Sequence, residues 1–137
     1  MLLSTLLVNR ADGADAVVIV VNSSNEEVIT PELVRNIYAD QVAHWGSGEV
    51  IHLYELSARS AIREAFYQET LGISARESAF RWNNRKITNT LKNLSPKTKR
   101  ETAVLNAISR DKKAIGYVSA IAAENNSDLR IIMKIEQ

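Results

Sequence analysis

The chain of 137 residues contains no cysteine. That removes disulfide frameworks, thiolate metal sites and cysteine nucleophiles from consideration. It does not set the compartment, because many exported proteins also lack cysteine. Histidine is scarce: His44 and His52 fall in different predicted elements, without metal-type spacing or an adjacent third ligand, so no metal site is expected. No apolar run approaches the roughly 20 residues needed to span a bilayer. There is no glycine-rich phosphate loop and no nucleophile elbow. Glu26 and Glu27 are adjacent and would point to opposite sides of a strand, so they make no acid–base pair. A non-enzymatic chain without a cofactor is the expectation.

What is present is an ordinary globular balance, with 45% hydrophobic and 24% charged residues. The length fits one domain around one core. The formal net charge is only +1, yet from Arg76 to Lys113 there are eleven Lys and Arg against three acids. The remainder carries six basic and thirteen acidic residues. One reading is an anionic partner, such as nucleic acid, a lipid surface or a partner protein. The other is two solvated helix faces. Only Phe80 and Trp82 interleave with those cations, too few aromatics for a base-stacking surface, so nucleic acid is not the expected partner.

Along the chain, Val17 to Val21 is an unbroken β-branched run, which reads as a strand buried on both faces. Asn22 to Asn25 end it with turn chemistry. Thr30, Pro31 and Glu32 read as N-cap, first-turn proline and first-turn acid of a helix to about residue 39. Residues 50–54 form a second strand, and a helix from Ser60 runs to Leu71 and stops at Gly72. Ser74 and Glu77 form a capping box for a further helix. Residues 84–94 fit no single element. Ser95-Pro96 opens the next helix, and two strands follow at residues 114–118 and 129–135. Trp45 and Trp82 read as packing residues, and Gly116 as a site of close backbone approach within a strand.

This order predicts an α/β fold: a three-layer-like sandwich with a mostly parallel sheet flanked by helices. Ligands of such sheets gather beyond the carboxyl ends of the strands. Glu55–Arg59 and Asn22–Asn25 are expected there. The domain spans residues 17–137. Residues 1–16, "MLLSTLLVNRADGADA", allow two readings. Leu2 to Val8 followed by Ala14-Asp15-Ala16 matches part of a secretory signal, without a basic segment ahead of it. The other reading is an extra N-terminal element.

Several segments together resemble the substrate-binding proteins of bacterial phosphate ABC transporters, and their short single-lobe relatives in particular. The family's "VNPSNP" after a hydrophobic strand is "VNSSNE" here, Val21–Glu26. Its "LTREQLRDIFLGKITRW.DG" is "ITPELVRNIYADQVAHWGSG", Ile29–Gly48. Its "SxxREAFY…LG" helix is Ser60 to Gly72, and its "GAIGYV" is matched by Ala114 to Val118. The resemblance implies one lobe of a type 2 periplasmic-binding-protein fold. It also implies an exported, periplasmic protein, with a cytoplasmic one as the alternative if residues 1–16 are no signal remnant.

In full-length members a Ser-Gly-Thr at the helix start resembles a phosphate cradle, with an arginine upstream. Here Ser60 keeps the serine, Ala61 and Ile62 replace glycine and threonine, and Leu56 takes the arginine position. Asn89 stands where the family has the glycine of "FTG". The candidate ligand set is therefore Ser60, Ala61 and Ile62, with Arg59, Arg63 and Ser57 as nearby substitutes. The bland reading makes Ser60 a helix cap and leaves Arg59 and Arg63 solvated or paired with Glu55, Glu64 or Glu69. The implied partners are phosphate or a similar oxyanion, a membrane permease or sensor protein, and a second copy of the chain in a homodimer; at this length half of the ligand shell is either missing or supplied by another chain. The alternative is a ligand-free interaction protein that kept the fold and pairs through its open lobe face.

Overall fold

The computed structural model describes residues 16–136. The reading of residues 1–15 as signal or extra element lies outside them. Five strands form one sheet: β1 (Val17–Asn22), β2 (His52–Leu56), β3 (Lys97–Lys99), β4 (Ala114–Ser119) and β5 (Leu129–Ile135), in the order β3-β2-β4-β1-β5. β2 pairs parallel with both β3 and β4, whereas β1 pairs antiparallel with β4 and β5. Four strands thus share one direction and β1 alone is reversed. The helices are α1 (Pro31–Tyr38), α2 (Ala61–Leu71), α3 (Ala75–Ile87), α4 (Glu101–Arg110) and the short α5 (Ala120–Ala123).

The predicted end signals operate. Thr30 Oγ1 accepts from the Leu33 N–H at 3.1 Å, and Ser74 Oγ accepts from the Glu77 N–H at 3.0 Å. Gly72 ends α2 in the left-handed region at φ 70°, its N–H reaching the Tyr67 and Gln68 carbonyls. Two boundaries differ from expectation. α3 continues through Ile87, absorbing part of the ambiguous stretch. Ser95-Pro96 does not start a helix: Lys97–Lys99 pair with Tyr54–Leu56 as an edge strand, and α4 begins at Glu101. An edge strand of alternating lysines resists pairing with foreign strands, a tertiary role that helix-start statistics do not anticipate.

Every residue of β1 is buried, and Ala114–Val118 of β4 are too. Successive residues of β4 face opposite layers. Tyr117 stacks on Phe66 of α2, with ring centroids 4.0 Å apart and planes 8° apart. Gly116 faces α4: a Cβ there would lie 2.9 Å from Ile108 Cδ1 and 3.0 Å from Val104 Cγ1. The sheet is therefore sandwiched, with α2 on one face and α4 on the other. Tyr38 joins the α2 side, edge-on to Phe66 at 4.8 Å. Both tryptophans are packed, and each indole N–H is satisfied: Trp45 by the Lys113 carbonyl, Trp82 by the Tyr38 carbonyl.

Polar ties close the loops. Asp40, fully buried at the exit of α1, accepts from the Lys92 and Asn93 N–H groups at 2.9 and 3.0 Å and pairs with Arg85 at 3.4 Å. Buried Asn22 donates to the Ile108 carbonyl, and Asn25 donates to that of Lys112. Because β1 is reversed, these asparagines lie at the edge of the sheet opposite residues 57–60. The expectation that Asn22–Asn25 share the ligand edge is corrected accordingly. Next to them, His52 Nδ1 meets Asp111 Oδ2 at 2.5 Å.

Two predictions follow from this packing. Gly116→Ala forces α4 off the sheet, and a lower urea midpoint with an unchanged slope is expected, worth about 1–3 kcal/mol. The second concerns acid. Burial raises the Asp111 pKa, but the His52 ring and the Lys113 N–H outweigh it and hold the carboxyl below its ordinary range. A depressed carboxyl contributes stability above its unfolded pKa of about 4, and that contribution is lost as pH falls through the lowered value. Melting temperatures followed from neutral pH into acid should therefore fall more gently for Asp111→Asn than for the wild type. Superimposable profiles would mean that the pair contributes nothing.

Candidate functional site

Beyond the carboxyl ends of β3, β2 and β4 lies a cleft of about 420 Å³. Leu56, Ser57, Ser60, Ala61 and Ile62 form one wall; Lys99, Arg100, Glu101 and Ser119 form the other. The parallel direction of the three strands puts their exits on one edge, so the starts of α2, α4 and α5 all face this space. Unsatisfied N–H groups and the helix dipole make such an edge favourable to negative charge.

Ser60 occupies the N-cap position of α2 with extended backbone (φ −73°, ψ 127°), yet its side chain makes no capping hydrogen bond. Its hydroxyl is thus not consumed by the helix. The backbone turns into α2 through Ser60 N–H to the Ser57 carbonyl at 3.0 Å and Arg63 N–H to the Ser60 carbonyl at 3.3 Å. The "SxxREAFY" pattern places this helix by burying Phe66 and Tyr67 and leaves its first turn at the cleft.

The two arginines singled out in the sequence do not line the cleft. Arg59 is exposed on the loop before α2. Arg63 turns inward: Nη1 donates to the Leu56 carbonyl at 3.0 Å, Nη2 lies 3.6 Å from Glu55 Oε1, and the guanidinium rests 5.9 Å from the Tyr67 ring centroid. Its pairing with Glu55 agrees with the bland reading. Glu55 is buried within β2 rather than in the loop. It accepts from the Tyr67 hydroxyl at 2.5 Å and from Thr98 at 3.3 Å. Burial, and then the Glu55 charge, push the Tyr67 hydroxyl pKa well up, so it stays a donor. Tyr117, also raised by burial first, accepts the Leu56 N–H at 3.2 Å and braces the end of β2.

Sequence reasoning missed the opposite wall. Lys99 and Arg100 are both exposed and have no carboxylate within ion-pair distance among the described residues. They stand about forty positions from Ser60 in sequence, and only the pairing of β3 with β2 brings them to it. The one available signal was the density of cations before Glu101. Among the described residues, Glu101 is the only carboxylate lining the cleft, and its Oε2 accepts the Ser119 N–H at 2.7 Å.

A larger hollow of about 560 Å³ lies along α5 and β5, lined by Val18, Ala123, Ile131 and neighbouring asparagines. Lys134 there is 3.4 Å from Glu136, and Glu124 adds a carboxylate to the lining. Among the described residues, no group of three or more acids and histidines could hold a metal, and no helix is long and apolar enough to cross a membrane.

No family model matches the chain, and no curated protein matches its sequence. Solved structures do resemble it. A Clostridium perfringens protein described as a phosphate ABC transporter substrate-binding protein, solved with bound phosphate, aligns at a TM-score of 0.64 and 18% identity, over 85% of this chain and 44% of the other. An ABC-type phosphate transport receptor from Vibrio cholerae aligns at 0.62 and 17% identity, over 86% and 45%. A protein from Planctomyces limnophilus described as a possible phosphate binding protein aligns at 0.61 and 18% identity, over 96% and 49%. The chain therefore has the α/β fold of these phosphate-transport binding proteins, and it spans less than half the length of each.

Proposed function

We propose that the chain is a non-enzymatic, exported solute-binding module that takes phosphate or a similar small oxyanion at the start of α2, for uptake through a permease or for sensing. The observation that carries this reading is the cleft itself. An uncommitted Ser60 hydroxyl and the first N–H groups of α2 face Lys99 and Arg100, two cations without acid partners among the described residues. Donors at a helix start and flexible cations around a partly enclosed space favour a compact oxyanion. Ser57 adds a second hydroxyl, and Ala61 and Ile62 contribute main-chain N–H groups only. Lys99 and Arg100 take the place that the sequence assigned to Arg59 and Arg63.

Titration calorimetry with phosphate, sulfate and other oxyanions tests the reading. Ser60→Asp is the informative variant, because aspartate is a good N-cap and leaves α2 as stable as before. It also places a negative charge where the ligand's own charge would lie, and at least tenfold weaker binding is expected. Binding that is absent below millimolar in the wild type, or indifferent to Ser60→Asp, rejects the site.

A second reading is favoured by a specific set of residues. Ala61 and Ile62 lack the family's second hydroxyl, Arg63 is committed to Glu55, and Glu101 brings a negative charge into the cleft. A protein that kept the fold but lost the ligand would pair through this open face, with a second copy or an envelope partner. Sedimentation across a wide concentration range separates the two readings. Association that Lys99→Glu weakens supports the pairing role, and a monomer at the highest concentrations removes its homodimeric form.

A further inference from the structure

We propose that Glu101 is a built-in competitor of the anion cleft, an internal carboxylate that lowers the affinity for oxyanions and sets the threshold at which they bind. The inference rests on the oxyanion reading of the cleft and goes beyond it, because it assigns regulation to a residue of the wall opposite Ser60.

The argument starts from what neutralises this carboxylate. Glu101 is the first residue of α4 and is only partly buried. It has no lysine or arginine within ion-pair distance among the described residues, although Lys99 and Arg100 immediately precede it. Its recorded polar contact is a main-chain one: Oε2 accepts the Ser119 N–H at 2.7 Å. Ser119 in turn caps α5, its Oγ accepting the Ala122 N–H at 3.2 Å. An acidic side chain thus already occupies a backbone donor on the cleft wall. An arriving oxyanion would seek donors of the same kind.

The two negative charges then share one partly enclosed space. Repulsion between two charges in one cleft works against binding. Among the described residues, the cations lining the cleft are Lys99 and Arg100, and an anion that draws them in must do so against the field of Glu101. The resident charge penalises a doubly charged anion more than a singly charged one.

Glu101→Gln isolates the charge. The glutamine side-chain oxygen can still accept the Ser119 N–H, so the tie between α4 and the end of β4 is kept. Phosphate and sulfate titrations of the folded variant, at low ionic strength, should show about tenfold tighter binding than the wild type, and added salt should narrow the difference. The double variant Ser60→Asp/Glu101→Gln should lose the gain, which locates it in this cleft. An unchanged melting temperature for Glu101→Gln shows that the comparison is made on an intact fold.

Equal affinity in Glu101→Gln and wild type would overturn the proposal and leave Glu101 as a structural tie, with the oxyanion reading intact. Weaker binding in the variant would also overturn it, showing that the carboxylate accepts a proton-bearing ligand group. If neither protein binds any oxyanion, both the competitor and the binding site are rejected. Submillimolar binding seen only in Glu101→Gln supports the competitor and rejects the wild-type chain as an oxyanion receptor.

Discussion

The parallel pairing of β2 with its two neighbours is the constraint on which the rest depends. His52 and Leu53 register with Ala114 and Ile115, and Tyr54 to Leu56 register with Lys97 to Lys99. Three adjacent strands therefore end on the same edge, and each feeds a helix. Three chain segments far apart in sequence are thereby delivered to one cleft, with their main-chain donors facing the same space. The reversed strand β1 sends its own exit, with Asn22 and Asn25, to the other edge. There the two asparagines hold α4 and the loop after it, and their amides are spent on structure.

Beneath the cleft, the fold commits its buried charges to each other. Glu55, Arg63, Tyr67 and Thr98 form one polar cluster under the end of β2, beside the stacked Phe66 and Tyr117. A buried carboxylate is tolerable only when it is paired and hydrogen-bonded. Arg63 meets that need from 3.6 Å away. The Arg63 Nε is buried without a partner, a cost accepted inside an otherwise satisfied cluster. The exposed cations beside the cleft are Lys99 and Arg100, at the β3 edge. The cleft's electrostatic character is thus set by a division of labour between an inward-turned, partly buried arginine and two solvated cations.

Much of this was legible beforehand. The valine run of β1, the Thr30-Pro31 and Ser74 helix starts, Gly72 as a terminator and Gly116 as a contact glycine all carry local chemical reasons, and those reasons operate in the fold. The helix start at Ser60 was legible too. The failures share one cause. Lys97–Lys99 have no strand signature of their own and become a strand only because β2 offers them a partner. Asn22–Asn25 end a strand as foreseen, but strand direction within the sheet is not encoded in a turn.

By itself the sequence determined the α/β class, most element boundaries and the existence of a helix start at Ser60, because these depend on contacts within a few residues. Tertiary structure alone decided what faces that helix start. It turned Arg63 inward to neutralise Glu55, and it brought Lys99, Arg100 and Glu101 across from more than thirty positions away. Charge acts through space rather than along the chain, so the character of the cleft could be settled only once the strands had paired.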